Sequence, residues 1–126
     1  MTVLFILISI VLVSGCVKQV EEDIDRVIVT STKAISLTDR LASGDMTAIP
    51  EAIALLESDE LITDMEPPIL SRQFIFYALQ DYTGLSFGFD PFAPEMEREV
   101  AINNWEQWWE DNKDKLVWNG EKFVVE

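Results

Sequence analysis

Histidine is absent from the 126 residues, and cysteine occurs once, at position 16. The missing histidine removes imidazole acid–base chemistry and the Ser-His-Asp and Cys-His nucleophile pairs. Together the two shortages remove the common zinc ligand sets. One thiol cannot close a disulfide within the chain, so a domain of this size, enough for one modest core, must hold together by burial alone. Basic residues are also scarce: 9 Lys and Arg face 23 Asp and Glu, a formal net charge of −14. A field of that sign repels phosphate backbones, and no basic patch interrupts it, which argues against a nucleic-acid partner. Long apolar runs are missing as well. The single run, Val3 to Val13, is broken only by Ser9, and about 12 helical residues cover about 18 Å, short of the ~30 Å hydrocarbon core.

That run has the form of a secretory signal core followed by a small-residue cleavage site. Its end, Val13-Ser14-Gly15-Cys16, resembles the bacterial lipobox: an aliphatic residue, two small residues and a cysteine whose thiol is acylated before cleavage on its N-terminal side. Only Met1 and Thr2 precede the run, without the Lys or Arg usual there. The resemblance implies a signal peptide over 1–15 and lipidation at Cys16. Two acyl chains give stable anchoring without a membrane span. Residues 16–25 then form an acidic tether, and 26–126 a domain carried outside the cytoplasm, in the periplasm or at the cell surface.

Within the domain, apolar positions at Ile24, Val27, Ile28, Ile35 and Leu41 predict an amphipathic helix ending near Ser43-Gly44, although Val27-Ile28-Val29-Thr30 would also suit a strand. Asp45 stands ahead of Ala48, Ile49, Ile53, Leu55 and Leu56 as the cap of a second helix. Pro67 and Pro68 stop it and start a third, "ILSRQFIFYALQDYTG", apolar around most of its circumference and therefore expected at the centre, closing at Gly84. Pro94, Glu95 and Glu97 open a fourth helix, with Val100, Ala101, Trp105, Trp108 and Trp109 as its buried face. The tail over 115–125 reads as a β-hairpin turning at Asn119-Gly120, with Leu116, Trp118, Phe123 and Val125 on the face that docks on the helices.

The fold class is thus all-α: a short array of about four helices in α-hairpins, capped by a C-terminal β-hairpin. "SGDMTAIPEAIALLESDE" followed by "SRQFIFYALQDYTG" is similar to a HEAT-type repeat, and "FGFDP" with "WEQWW" resembles a segment of bacterial HEAT-like lipoproteins. "EPPILSR" departs from the repeat's usual junction, with Arg72 near the expected arginine, and the array is shorter than the three repeats such folds normally use. The resemblance implies a binding or scaffolding surface and carries no catalytic residues.

Phe87, Phe89, Phe92, Trp105, Trp108 and Trp109 have two readings: a ligand platform, or a Phe-rich loop plugging the space between the third and fourth helices while the tryptophans fill the core. Trp108 and Trp109 point about 100° apart, so at least one reaches the edge of the buried seam. Asp90 suits a loop cap, and otherwise joins Phe87, Phe89, Trp108 and Trp109 as a binding candidate. Glu106 and Glu110 lie one turn apart, either a solvated face or an acid–base pair. The acidic clusters around Glu57 and Glu21 lack the alternating loop of an EF-hand, so no metal, cofactor or catalytic residue is assigned. The function expected is a membrane-anchored, non-catalytic interaction or scaffolding module for a protein partner. The alternative is a carboxylate-dependent hydrolase or glycan-binding module that uses the aromatic groove.

Overall fold

A computed structural model describes residues 32–126. The expected signal peptide over 1–15, Val13, Ser14, Gly15 and Cys16 of the lipobox resemblance, the expected tether over 16–25 and the part of the first expected helix before residue 32 lie outside the described residues. The domain is mostly helical: four helices with two small two-stranded sheets, the second a C-terminal β-hairpin. Among the described residues no helix is long and apolar enough to cross a membrane.

Helix α1 occupies 32–42 of the described residues. It buries Ala34, Leu37 and Leu41, while Ile35 is 42% exposed. The predicted stripe runs through Ile35; the real face is rotated toward Ala34, whose small side chain gives a weak hydropathy signal yet allows close approach. α1 ends as expected: Gly44 takes φ +85°, and the Asp45 N–H returns to the Arg40 carbonyl at 3.0 Å.

Helix α2, Ala48–Leu55, starts at Thr47 rather than at Asp45. The Asp45 carboxylate accepts the Thr47 N–H at 3.0 Å, an Asx turn two residues upstream of the helix. Pro50 falls in the first turn, where a missing N–H leaves no bond unmade. The central helix is α2, which packs against both α3 and α4. Ala48, Ala52, Ile49 and Ile53 are buried within it, and the alanines let two neighbours approach.

The segment after α2 departs from expectation. Pro67 and Pro68, the former in a cis peptide, do not start a helix but sit in the loop of a small antiparallel ribbon, β1 (Leu61–Ile62) against β2 (Ile69–Leu70). Helix α3, Ser71–Thr83, begins only after β2, with the Ser71 N–H bonded to the Glu60 carbonyl at 2.8 Å. It ends on Gly84 in the left-handed conformation, as its position predicts. α3 is one-sided: Ile75, Phe76, Ala78 and Leu79 are buried while Tyr77 is 45% exposed and Gln80 and Asp81 face solvent. Its aromatics raise its apolar count without all being inside, which is why composition overstates its burial.

Helix α4, Glu95–Asn112, follows Pro94, with Glu95 and Glu97 in the first turn. Its buried face is Ala101, Ile102 and Trp105, flanked by half-buried Arg98, Trp108 and Trp109. Val100, expected inside, is 63% exposed, and Ile102 takes its place. Steps of three and four from Trp105 reach 102, 101 and 98 but miss 100.

The tail forms β3 (Leu116–Trp118) and β4 (Phe123–Val125) with Trp118 opposite Phe123. The turn therefore centres on Gly120-Glu121, one residue later than expected, because the Asn119 side chain accepts the Glu121 and Lys122 N–H groups at 2.9 and 2.8 Å. Moving the turn centre by one residue shifts the pairing sum by two, so inward and outward faces are preserved. Leu116 and Phe123 are buried and Trp118 half-buried, whereas Val125 is half exposed at the strand end. The hairpin docks through Trp118, which covers Gly44 and lies 6.2 Å from the Tyr82 ring.

Candidate functional site

The loop between α3 and α4 is built by local hydrogen bonds that free its rings to turn inward. Phe87 and Gly88 take left-handed φ values of 53° and 68°. The Phe89 N–H bonds the Ser86 carbonyl at 3.1 Å, and Asp90 Oδ1 accepts the Phe92 N–H at 2.9 Å. Asp90 therefore shapes the loop. Phe87 stands edge-on to Trp105 at 4.9 Å and 6.4 Å from Trp108, while Phe89 is buried 5.0 Å from Phe76 of α3. The loop thus fills space between α3 and α4 with two of its three phenylalanines. Phe92 is left 66% exposed.

A second contact fixes this loop to the rest of the fold, and nothing in the sequence pattern marks it as a working unit. Arg72 donates from Nε to the Pro91 carbonyl at 2.6 Å, and from its terminal nitrogen to the Ser58 carbonyl at 3.2 Å and to Asp59 at 2.6 Å. Arg98 donates to the Ala93 carbonyl at 3.0 Å. Two largely covered guanidiniums thereby tie the loop to the end of α2. The signal available in sequence is Arg72 standing near the arginine expected from the HEAT-type resemblance, while nothing marks Arg98 as acting with it.

The tryptophans divide by depth. Trp105 is fully buried, and its indole N–H has no acceptor among the described residues. Trp108 packs edge-on to Trp105 at 5.9 Å. Trp109, half-buried, turns to the other flank of α4 and lines an open depression of about 330 Å³ with Glu106, Glu110 and, from α2, Pro50, Ile53 and Ala54. Further along the same flank, a depression of about 220 Å³ is lined by Glu95, Arg98, Glu99 and Ile102 of α4 and by Glu57 and Asp59 from beyond α2. Glu106 and Glu110 are both exposed, and Glu110 accepts from Lys113 at 2.8 Å, which raises the lysine pKa.

On the side of α4 away from the core, Met96 and Val100 are 80% and 63% exposed. Four residues apart, they share a helical face. Of the candidates, Trp109 is thus brought to a groove, Trp108 and Phe87 to one aromatic cluster, Phe89 to the core and Asp90 to a turn. Sequence reasoning named Phe92, Glu106 and Glu110 but not Met96 or Glu99, and it expected Val100 inside, where the structure leaves it 63% exposed. Among the described residues no three acidic side chains converge as a metal site. No family model, curated protein or solved structure matches the chain.

Proposed function

We propose that the chain is a membrane-anchored module that works outside the cytoplasm, binding or scaffolding a protein partner without catalysis, on a short HEAT-like pair of α-hairpins. Cys16 is the acylated residue and 16–25 the tether. The observation that carries the interaction reading is the apolar set Phe92, Met96 and Val100. Large side chains 66%, 80% and 63% exposed, Met96 and Val100 on one face of α4 and Phe92 in the loop just before it, in a protein of charge −14, are the kind of surface that marks contact with another molecule. The HEAT-like architecture is supported by the sharp α1–α2 turn, closed by Arg40 on Asp45 at 2.9 Å, and by Arg72 bonding the turn after α2.

The test is site-specific photo-crosslinking in cells that process lipoproteins, with the full chain carrying the photoreactive residue at Met96 or, as a control, at Lys122. A discrete protein adduct from position 96, identified by mass and absent from 122, is the expected result. No adduct from position 96, together with turnover of a glycan or peptide panel by the same protein, overturns it.

A further inference from the structure

Positions 95, 99, 102, 106 and 109 of α4 recur at steps of three and four, and 110 lies four beyond 106, so together they form one broad stripe, about 100° wide, along the helix. Four of them are glutamates, and the stripe lines both depressions beside α2. We propose that this flank docks a lysine- or arginine-bearing segment of a partner protein, with one cation seated against Trp109 between Glu106 and Glu110. The proposal rests on the interaction reading above and adds the partner's chemistry.

Three features of the groove select a cation. Trp109 offers the aromatic ring that attracts ammonium and guanidinium groups most strongly. Pro50, Ile53 and Ala54 form an apolar wall opposite it, suited to the methylene stem of Lys or Arg, while the charged head reaches the carboxylates at the rim. Glu106 and Glu110 flank the indole along the helix, so their fields add at the position of the head group. Lys113 is the base paired with Glu110 here, and that pair is solvent-exposed and readily exchanged for a better-held cation.

The upper depression extends the same selection. Glu95 and Glu99 face Glu57 across it; Asp59, also in the lining, is already held by Arg72 at 2.6 Å, and the base in the lining, Arg98, is committed to the Ala93 carbonyl. From Glu95 to Glu110 the helix rises about 22 Å, the span of roughly seven extended residues. An extended basic segment can therefore meet both ends at once. A neutral glycan could stack on Trp109 but would leave the row of glutamates unmatched.

The test uses the full lipid-anchored chain in neutral detergent and a fluorescent peptide alternating Arg and Gly over seven residues, read by anisotropy. A Glu/Gly peptide and a neutral hexasaccharide are the comparison ligands. Binding of the Arg peptide should weaken about tenfold in Glu106→Gln/Glu110→Gln and in Trp109→Leu, and no more than twofold in Glu121→Gln/Glu126→Gln. It should also weaken as salt rises. Should Trp109→Leu fail to fold, the paired glutamine variant at exposed positions decides alone. No binding of the Arg peptide, equal loss in both double variants, or preference for the hexasaccharide overturns the proposal. An adduct from Met96 without peptide binding overturns the groove assignment only; peptide binding with no partner adduct and turnover of the glycan or peptide panel overturns the interaction reading and leaves the cation site standing.

Discussion

Two demands meet at Gly44. Its φ of +85° closes α1, and a Cβ placed there would come within 2.6 Å of the Trp118 ring. Left-handed strain of about 1–2 kcal/mol and overpacking of about 1–3 kcal/mol act together. Gly44→Ala should therefore destabilise by about 2–5 kcal/mol in denaturant unfolding and release the hairpin, seen as a change in Trp118 fluorescence. Ser71 is the opposite case: fully buried at the start of α3, its hydroxyl has no partner among the described residues. An orphaned polar group costs about 1–3 kcal/mol, so Ser71→Ala should leave stability unchanged or raise it, and a lower melting temperature would contradict that. Asp45 carries a pH dependence. The Thr47 hydroxyl at 2.6 Å and then the Arg40 guanidinium hold its carboxyl below the ordinary carboxylate value. The native state thus binds fewer protons than the unfolded state. Its contribution is present above the unfolded carboxylate pKa of about 3.9 and is lost as pH falls through the lower native value. The stability gap between wild type and Asp45→Asn should accordingly close below about pH 4.

At the level of elements, both glycine stops, Gly44 and Gly84, were legible in the sequence, because a glycine directly after an amphipathic run supplies the left-handed residue that helix ends favour. So was the alternation of the terminal hairpin, which survives an error in the turn position because strand faces repeat every two residues. The β1–β2 ribbon was not legible. Two-residue strands leave no alternation to detect, and Pro67-Pro68 reads equally as helix stop, helix start or loop. The true face of α1 was hidden for another reason, since hydropathy weights Ile35 far above Ala34 while packing rewards the smaller one. Trp109 and the adjacent glutamates were visible as residues but not as a groove, because their partner wall comes from α2, some 55 residues earlier. The arginine clamp likewise depends on backbone carbonyls that sequence does not locate. It makes a prediction of its own: Arg72→Met removes charged donors from the Pro91 and Ser58 carbonyls. This should cost about 2 kcal/mol. The Asp59 partner is mostly solvent-exposed and adds little. Faster hydrogen exchange should then appear at residues 86–93 before it appears in α2, and uniform exchange across the domain would count against the clamp.

At the scale of the whole molecule, three properties converge on one arrangement. The core joins all four helices and the hairpin through Leu37, Ile49, Leu79, Trp105 and Phe123, so the domain has a frame on which a surface can be held. That surface is acidic along one flank of α4 and apolar on another. The location proposed for both surfaces rests on the N-terminal lipobox resemblance alone. Cys16 is therefore the residue on which the proposed function turns. Its most direct test is metabolic labelling with a fatty-acid analogue in a bacterial host with lipoprotein machinery, followed by mass measurement of the mature N-terminus. Label is expected on a wild-type chain beginning at residue 16 and none on Cys16→Ser. Equal labelling of the two, or an expressed wild-type chain that retains residues 1–15 and takes up no label, would contradict lipid anchoring at Cys16.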